Sequence, residues 1–330
     1  MSKISLTGIK PTGTPHLGNY LGSIRPALEL AKKQEYKGFY FIADYHSLNS
    51  MHDAKNLRSD IYEVAATWLA CGLDPEEVTI YKQSDIPEIL ELNWILSCFC
   101  AKGLMNRAHA YKAKLAENQN EGRDIDFGIN MGLYCYPILM AADILILNSN
   151  IVPVGADQLQ HVEIARDLAN AFNHHYGDVI KLPQAQERGD KVIVGLDGRK
   201  MSKSYGNTIP LLVPEKKLRK FIMKIVTDSL PPEAPKDPDN STIMDLYKFF
   251  ATGEEVERLK DSYKNGIGWG YAKQELFEVV NRELAPLREK YNYFLENTEE
   301  IDKVLKVGGE RARELASKNL SIIKKKIGVM

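Results

Sequence analysis

Short apolar stretches alternate with helical patterns over residues 1–206. The apolar stretches are rich in β-branched and aromatic residues, which is typical of strands, and the segments between them, such as 20–34 and 57–72, show apolar residues at helical spacing. Strands that alternate with helices predict right-handed crossovers and a doubly wound, Rossmann-like parallel sheet of the α/β class. Ligands bind such sheets at the carboxyl ends of the strands. The predicted strands are residues 3–9, 38–45, 78–84, 150–155 and 191–196.

The pattern changes after residue 206, where strand-like stretches disappear and helical periodicity continues to the end of the chain. The sequence therefore predicts an α/β domain over 1–206, with a helical insertion at about 85–150, followed by an all-helical domain over 207–301. A last helix at 302–330 is expected to pack back on the first domain. The Pro- and Asp-rich segment 229–241 predicts a loop between helices.

One helical stretch, LYCYPILMAADILIL at 133–147, is apolar except for Asp143. It is shorter than the roughly 20 residues that span a bilayer, so it predicts a buried helix. Met140 and Asp143 are three positions apart and share one face of that helix. A buried carboxylate is costly unless it is paired, and a helix donor nearby or a ligand donor could each supply the partner.

Composition and charge narrow the possibilities only slightly. The chain has 330 residues, 44% of them hydrophobic, and a formal net charge of −1, which favours a globular protein and excludes no class of partner. Its four cysteines lack the paired spacing of a zinc site, so we expect reduced, mostly buried thiols and no bound metal. The first residues lack the pattern of a secretion signal, and we expect a cytoplasmic protein.

Two short clusters are candidates for phosphate binding. PTGTPHLGNY at 11–20 places glycines between a strand and the start of a helix, where backbone N–H groups and the helix dipole favour an anion. GRKMSKSYGN at 198–207 carries Lys200 and Lys203 on a glycine-flanked loop, and two mobile ammonium groups could hold a polyphosphate. Taken alone, the first cluster could be a plain turn with His16 as a helix cap, and the second a solvated loop.

Taken together, HLGN near the start and KMSKS after the last predicted strand resemble the two signature motifs of the class I aminoacyl-tRNA synthetases. Within that class the sequence resembles the tryptophanyl-tRNA synthetase family over nearly its full length. The stretches that carry the resemblance are GIKPTGTPHLGNYLG, YPILMAADILILNSNIVPVGADQLQHVEIARDLA, KMSKS and GWGYAKQELFEVVNRELAPLREKY.

The resemblance implies a tryptophan–tRNA ligase, which joins tryptophan to ATP as an adenylate, releases pyrophosphate and transfers tryptophan to the 3′ end of tRNA(Trp). It implies ATP with Mg²⁺, a homodimer contacting through the 85–150 insertion, a catalytic domain over 1–206 and an anticodon-binding domain over 207–301. It assigns the catalytic roles to His16, Asn19, Lys200 and Lys203. The ATP-binding residues would be Lys10, Thr12, Gly13, His16, Gly18, Asn19, Lys114, Gly155, Asp157, Lys200, Met201, Ser202, Lys203 and Ser204. The tryptophan-binding residues would be Leu6, Gly8, His46, Tyr136, Met140, Asp143, Val152, Val154 and Gln158, with Asp143 accepting from the indole N–H.

Two positions differ from many bacterial members of the family. Lys10 replaces a glutamine near the α-phosphate and the amino acid carboxylate, and its full charge could tighten both or alter sensitivity to tryptophan analogues. Leu6 replaces a phenylalanine beside the indole. The alternatives are a tyrosyl-tRNA synthetase, against which MAAD at 140–143 argues, and a synthetase-like binding protein without catalysis, which would be free to lose His16 or the KMSKS lysines.

Overall fold

A computed structural model describes residues 3–11, 13–33, 35–187 and 192–330. A five-stranded, wholly parallel sheet lies at its centre, in the order β3-β2-β1-β4-β5. The order reverses direction between β1 and β4, which makes that junction the switch point where doubly wound sheets bind ligands. The α/β fold class is therefore confirmed. The strands are β1 (Lys3–Ile9), β2 (Tyr36–Ile42), β3 (Thr79–Lys82), β4 (Ile151–Val154) and β5 (Gln184–Glu187).

Helices cover both faces of the sheet, and β2 shows how one strand serves two cores. Its side chains alternate, so Tyr40 and Ile42 enter one apolar core while Phe39 and Phe41 enter the other. The first core joins the sheet to the helical part of the chain beyond residue 207. A strand buried on both faces reads as a continuous apolar run, which is why β2 could be predicted from GFYFI.

The helices follow the predicted alternation. A π-helix (Tyr20–Ile24) joins α1 to α2, and 3₁₀ turns lie at Gln83–Asp85, Ala156–Gln158 and Lys203–Tyr205. The helices of the α/β part are α1 (Leu17–Asn19), α2 (Arg25–Ala31), α3 (Asp44–Ser47), α4 (Ala54–Ala70), α5 (Glu88–Ser97), α6 (Lys102–Met105), α7 (His109–Asn120), α8 (Met131–Ile146) and α9 (Leu159–Tyr176). The later helices are α10 (Glu215–Ile222), α11 (Thr242–Tyr247), α12 (Gly253–Asn265), α13 (Trp269–Glu296) and α14 (Thr298–Ile327).

The strand predicted at 191–196 is wrong. Lys191 lies outside the described residues, and Val194 forms only an isolated antiparallel bridge with Lys200. The fifth strand is instead QAQE, whose polar side chains are mostly exposed because β5 is an edge strand. An edge strand needs no apolar alternation, so the periodicity of the sequence missed it.

The last helix lies against the sheet. α14 contacts β3, α5 and α8, and it begins at Thr298, four residues before the predicted boundary. Gly308 makes this approach possible, because a Cβ atom there would lie 1.8 Å from the carbonyl oxygen of Ile80.

Two expectations about the surface can be compared with the structure. The four cysteines are free, but Cys98 is exposed and the other three are partly exposed, so the expectation of mostly buried thiols is wrong. Among the described helices, none is long and apolar enough to cross a membrane.

Candidate active site

The HLGN residues follow the loop that leaves β1, and they form the start of α1. His16 is the N-cap of α1: its Nδ1 accepts from the Asn19 backbone N–H at 3.3 Å, and Asn19 Oδ1 accepts from the His16 N–H at 3.1 Å. Burial, together with the charge of Lys203, lowers the pKa of His16 to about 4. The ring is neutral near pH 7, and because Nδ1 accepts, its proton lies on Nε2. His16 is thus both a helix cap and an N–H donor.

The KMSKS loop packs directly on this turn. The backbone N–H of Gly18 donates to the Met201 sulfur at 3.2 Å, and the Leu17 N–H donates to the Ile209 carbonyl at 2.9 Å. A Cβ atom at Gly13 would lie 3.6 Å from Lys203 Nζ, and Gly13 also needs its positive φ of 72°. HLGN and KMSKS lie near opposite ends of the α/β part of the sequence, yet the two motifs form one surface in the fold.

Asn207 holds the KMSKS loop from behind. Its side chain is buried, accepts from the Ser202 N–H at 2.8 Å and donates to the Lys200 carbonyl at 3.1 Å and to Asp197 at 2.7 Å. Gly195 leaves the space that this amide occupies, since a Cβ there would lie 2.5 Å from it. Sequence reasoning missed Asn207, although it directly follows Gly206.

The cations of the loop face solvent. Lys200 and Lys203 are exposed, as is Ser204, whose hydroxyl lies 2.8 Å from that of Ser202. Partial burial lowers the pKa of Lys203, while Asp60 and Glu63 act in the opposite direction. The loop presents two lysines on a backbone that Asn207 holds in place. The predicted ATP contact Thr12 lies outside the described residues.

A pocket of about 570 Å³ opens at the switch point of the sheet. It is mostly apolar, with Leu6, Val152 and Val154 buried in its wall. Phe41 and Ile144 also line it and were not predicted. Two of the predicted ATP-binding residues, Lys10 and Gly155, line it as well. All nine predicted tryptophan-binding residues line this pocket: Leu6, Gly8, His46, Tyr136, Met140, Asp143, Val152, Val154 and Gln158.

Asp143 supplies the pocket with a fully buried carboxylate. Its Oδ2 accepts from His46 Nε2 at 2.9 Å, and Gln83 Nε2 donates to Oδ1 at 2.8 Å and to Oδ2 at 3.0 Å. Burial raises the pKa of Asp143, and the hydrogen bonds from His46 and Gln83 oppose that rise. The sequence allowed either a protein donor or a ligand donor as the partner of Asp143. The structure is compatible with both at once, because His46 and Gln83 hold a carboxylate that also lines the pocket. Gln83 was not predicted.

Tyr136 has a buried partner of its own. Its hydroxyl is hydrogen-bonded to His161 Nε2 at 2.6 Å, and burial lowers the pKa of His161 to about 4, so this imidazole is neutral. A hydroxyl that donates to the neutral ring keeps its lone pairs for a donor in the pocket. His161 was missed because a lone histidine on an apolar helix face carries no motif.

The predicted residues Lys10, Asp157 and Lys114 each have a polar partner within the protein. Lys10 Nζ donates to Ser50 Oγ at 3.3 Å, and partial burial lowers the pKa of Lys10. Asp157 is exposed in the 3₁₀ turn after Gly155, and its carboxylate accepts from Gln158 at 2.8 Å. Lys114, on α7, is paired with Glu117 at 2.9 Å and does not line the pocket.

No three His, Cys, Asp or Glu side chains converge as a metal-binding cluster within the part of the chain that the structure describes. The groups at the junction of the two motifs that could bind phosphate are N–H donors and lysines. A divalent ion would arrive with its nucleotide as part of the substrate.

Comparison with known proteins places this geometry in a class. The family model described as tRNA synthetases class I (W and Y) matches residues 2–285. The chain therefore belongs to the class I aminoacyl-tRNA synthetases of the tryptophan and tyrosine group.

Individual relatives narrow the class. A tryptophan–tRNA ligase of Neisseria meningitidis is 49% identical over 326 residues, covering 98% of this chain and 97% of that one. One from Xylella fastidiosa is 51% identical over 316 residues, covering 95% and 73%. The crystal structure of Campylobacter jejuni tryptophanyl-tRNA synthetase, complexed with ADP and tryptophan, superposes with a TM-score of 0.92 at 42% identity, covering 98% and 99%. Within its class, the chain is a member of the tryptophanyl-tRNA synthetase family.

Proposed function

We propose that this chain is a tryptophan–tRNA ligase that forms tryptophanyl-adenylate from tryptophan and MgATP and then esterifies tRNA(Trp). One observation carries the proposal: the pocket with its single buried carboxylate directly adjoins the surface where HLGN meets KMSKS. Lys10 lines the pocket, and three residues later Gly13 lies beside Lys203. An amino acid in the pocket would thus present its carboxylate to a nucleotide held by both motifs.

Activation is in-line attack of the tryptophan carboxylate on the α-phosphorus. The protein's part is to position the reactants and to neutralise charge that develops on phosphate oxygens. We assign donation from His16 Nε2 and Asn19 to those oxygens, and the departing pyrophosphate to Lys200, Lys203 and Ser202. Gly155 and Asp157 are assigned to the ribose, and Lys114 to the phosphates, as the resemblance predicts.

In the pocket, Asp143 accepts the indole N–H, while Leu6, Val152 and Val154 hold the ring. Tyr136 and Gln158 take the ammonium and carboxylate of the substrate. His46, whose Nε2 is hydrogen-bonded to Asp143, acts on tryptophan through that carboxylate. A site built on one buried acceptor rejects side chains without the matching donor, and it favours tryptophan over phenylalanine strongly.

Pyrophosphate exchange with purified protein tests this function. Exchange that depends on tryptophan and is absent with tyrosine and phenylalanine is the expected result. Exchange with tyrosine alone would assign the other specificity of this class, and no exchange with any amino acid would favour a binding protein without catalysis.

The partners beyond the substrates are also proposals. Exposed basic side chains at 216–220 on α10, and Lys325 and Lys326 on α14, are candidates for tRNA phosphate contacts, with the salt dependence that such contacts bring. The third lysine of that cluster, Lys324, is partly buried and pairs with Glu91 at 2.7 Å. We further propose a homodimer through the 85–150 segment, where Trp94, Phe127 and Met131 are exposed at 72%, 55% and 70%. Trp94→Glu should convert the dimer into a monomer, measured by light scattering. The proposed place of action is the cytoplasm, where tRNA is charged.

A further inference from the structure

Gln83 lies behind the pocket in a turn that is fixed on every side. The 3₁₀ turn Gln83–Asp85 follows β3, and Asp85 accepts from the Lys82 N–H at 3.1 Å while Asp44 accepts from the Ser84 N–H at 3.0 Å. The Gln83 side chain is fully buried. Neither the motifs nor the chemistry proposed above uses this residue.

Chemistry fixes the orientation of the Gln83 amide. Its Oε1 accepts from the His46 backbone N–H at 3.3 Å, and its Nε2 donates to both oxygens of Asp143. The reverse orientation would set Oε1 against the oxygens of Asp143 and Nε2 against an N–H group, so it would lose the hydrogen bonds in which Gln83 donates to Asp143 and accepts from His46. The amide therefore links the backbone of one pocket residue to the side chain of another.

The hydrogen bonds leave one acceptor position on Asp143. A carboxylate has about four acceptor positions, two on each oxygen. Among the residues that the structure describes, Oδ2 accepts from both His46 and Gln83, whereas Oδ1 accepts from Gln83 alone. Asp143 lines the pocket, so the remaining position on Oδ1 is the one available to a ligand donor.

We propose that Gln83 is a positioning residue for the choice of amino acid: its amide fixes the rotation of the Asp143 carboxylate and keeps Oδ1 available for the indole N–H. Without this amide, His46 would be the one side chain left, within the described part of the chain, that is hydrogen-bonded to the carboxylate. Asp143 could then turn Oδ1 away from the pocket, and discrimination by the indole N–H would weaken. The inference rests on the proposed tryptophan specificity and adds the residue that sets it.

The test compares tryptophan with β-(3-benzothienyl)alanine, an analogue in which sulfur replaces the N–H. For each protein, KM for tryptophan in pyrophosphate exchange is compared with the inhibition constant of the analogue. Gln83→Met removes all three hydrogen bonds of the amide at similar side-chain size. It should reduce the preference for tryptophan about tenfold or more, mainly through KM. The KM for ATP should stay at its wild-type value.

Gln160→Met is the matched control, because that amide also bridges two groups, the His109 N–H at 2.8 Å and the Arg107 carbonyl at 3.1 Å, and does not line the pocket. It should leave the preference unchanged. Gln83→Asn, which withdraws the amide by one methylene, replaces the methionine variant if that variant does not fold. A Gln83 variant that weakens tryptophan and the analogue equally, or neither, overturns the proposal. Absence of wild-type exchange with tryptophan would instead refute the function itself.

Discussion

The two halves of the candidate active site are built in opposite ways. In the tryptophan pocket, Asp143 and Gln83 are fully buried and their polar atoms already have fixed partners. On the phosphate side, Lys200 and Lys203 are exposed on a loop whose backbone is held through Asn207. The difference matches the two tasks, because choosing one amino acid needs a fixed acceptor, whereas polyphosphate can be gripped by mobile point charges.

The largest effect is expected on the phosphate side. The double variant Lys200→Ala/Lys203→Ala should lower kcat of pyrophosphate exchange about 10²- to 10³-fold, because it removes charge that stabilises the transition state. Binding of tryptophan alone, measured by calorimetry, should be unchanged, since neither lysine lines the pocket. Lys306→Ala, an exposed lysine on α14, is the control. Loss of tryptophan binding in the double variant would break the separation between the two halves.

Asp143→Asn should act on the pocket alone. The asparagine amide would face the N–H donors of His46 and Gln83, and the carboxylate to which we assign the indole N–H would be gone. We expect kcat/KM for tryptophan to fall about ten- to hundredfold, through KM, while KM for ATP stays constant. Steady-state kinetics with each substrate varied provides the measurement, and an equal change in both KM values would contradict it.

Buried neutral histidines should make stability depend on pH. The pKa of His161 falls from 6.5 to about 4 in the folded protein, so below pH 6.5 the unfolded chain binds the proton more readily. Folding stability should therefore decrease as pH falls from 6.5 to 4, with a contribution from His161 of roughly 1–3 kcal/mol.

Urea unfolding of wild type and His161→Gln at pH 7 and pH 4.5 measures that contribution. The variant should lose less stability on acidification than wild type, and His52→Gln, which replaces an exposed histidine, should behave like wild type. If all three proteins lose the same stability between pH 7 and pH 4.5, His161 is not the cause of the pH dependence.

Asn207→Ala should show how far the phosphate loop depends on its support. Losing three hydrogen bonds behind the loop should lower kcat about tenfold and raise KM for ATP, without changing the KM for tryptophan. Asn173→Ala removes a comparable amide at a place remote from the site, where the side chain is hydrogen-bonded to the backbone of Val179 and Ile180. That control should lose stability but keep both KM values; if it shifts KM for ATP equally, the effect of Asn207 is one of stability.

The smallest effect is expected at the junction of the two halves. Lys10→Gln removes a charge that lies half-buried beside Ser50, at a position where a carboxylate and a phosphate would both be near. We expect KM for tryptophan and inhibition by its analogues to change about two- to fivefold. If neither the KM for tryptophan nor the inhibition by its analogues changes, the charge of Lys10 is screened by solvent.

Local patterns predicted well what depends on neighbours in the chain. β1 has the predicted bounds because KISLTGI is a short stretch in which Ile4 and Leu6 alternate with Ser5 and Thr7, and Asp143 is buried because the fourteen other residues of 133–147 are mostly apolar. The contacts that could not be predicted join residues that are far apart in the sequence. Gln83 meets Asp143 across 60 positions and His161 meets Tyr136 across 25, and no local periodicity reports such a hydrogen bond. The resemblance to a family named residues that line the pocket or form the two motifs, but not Gln83, His161 and Asn207, which hold them in place.

The contact between α14 and β3 has a consequence for biosynthesis. Ile80 emerges from the ribosome long before Gly308, yet the helix that carries Gly308 lies against the strand that carries Ile80. Until the 30-residue α14 has been made, the β3 side of the sheet lacks its covering helix. A chain released early would expose a strand edge that favours association with other chains. Packing of the β3 side of the sheet is thereby coupled to the synthesis of α14.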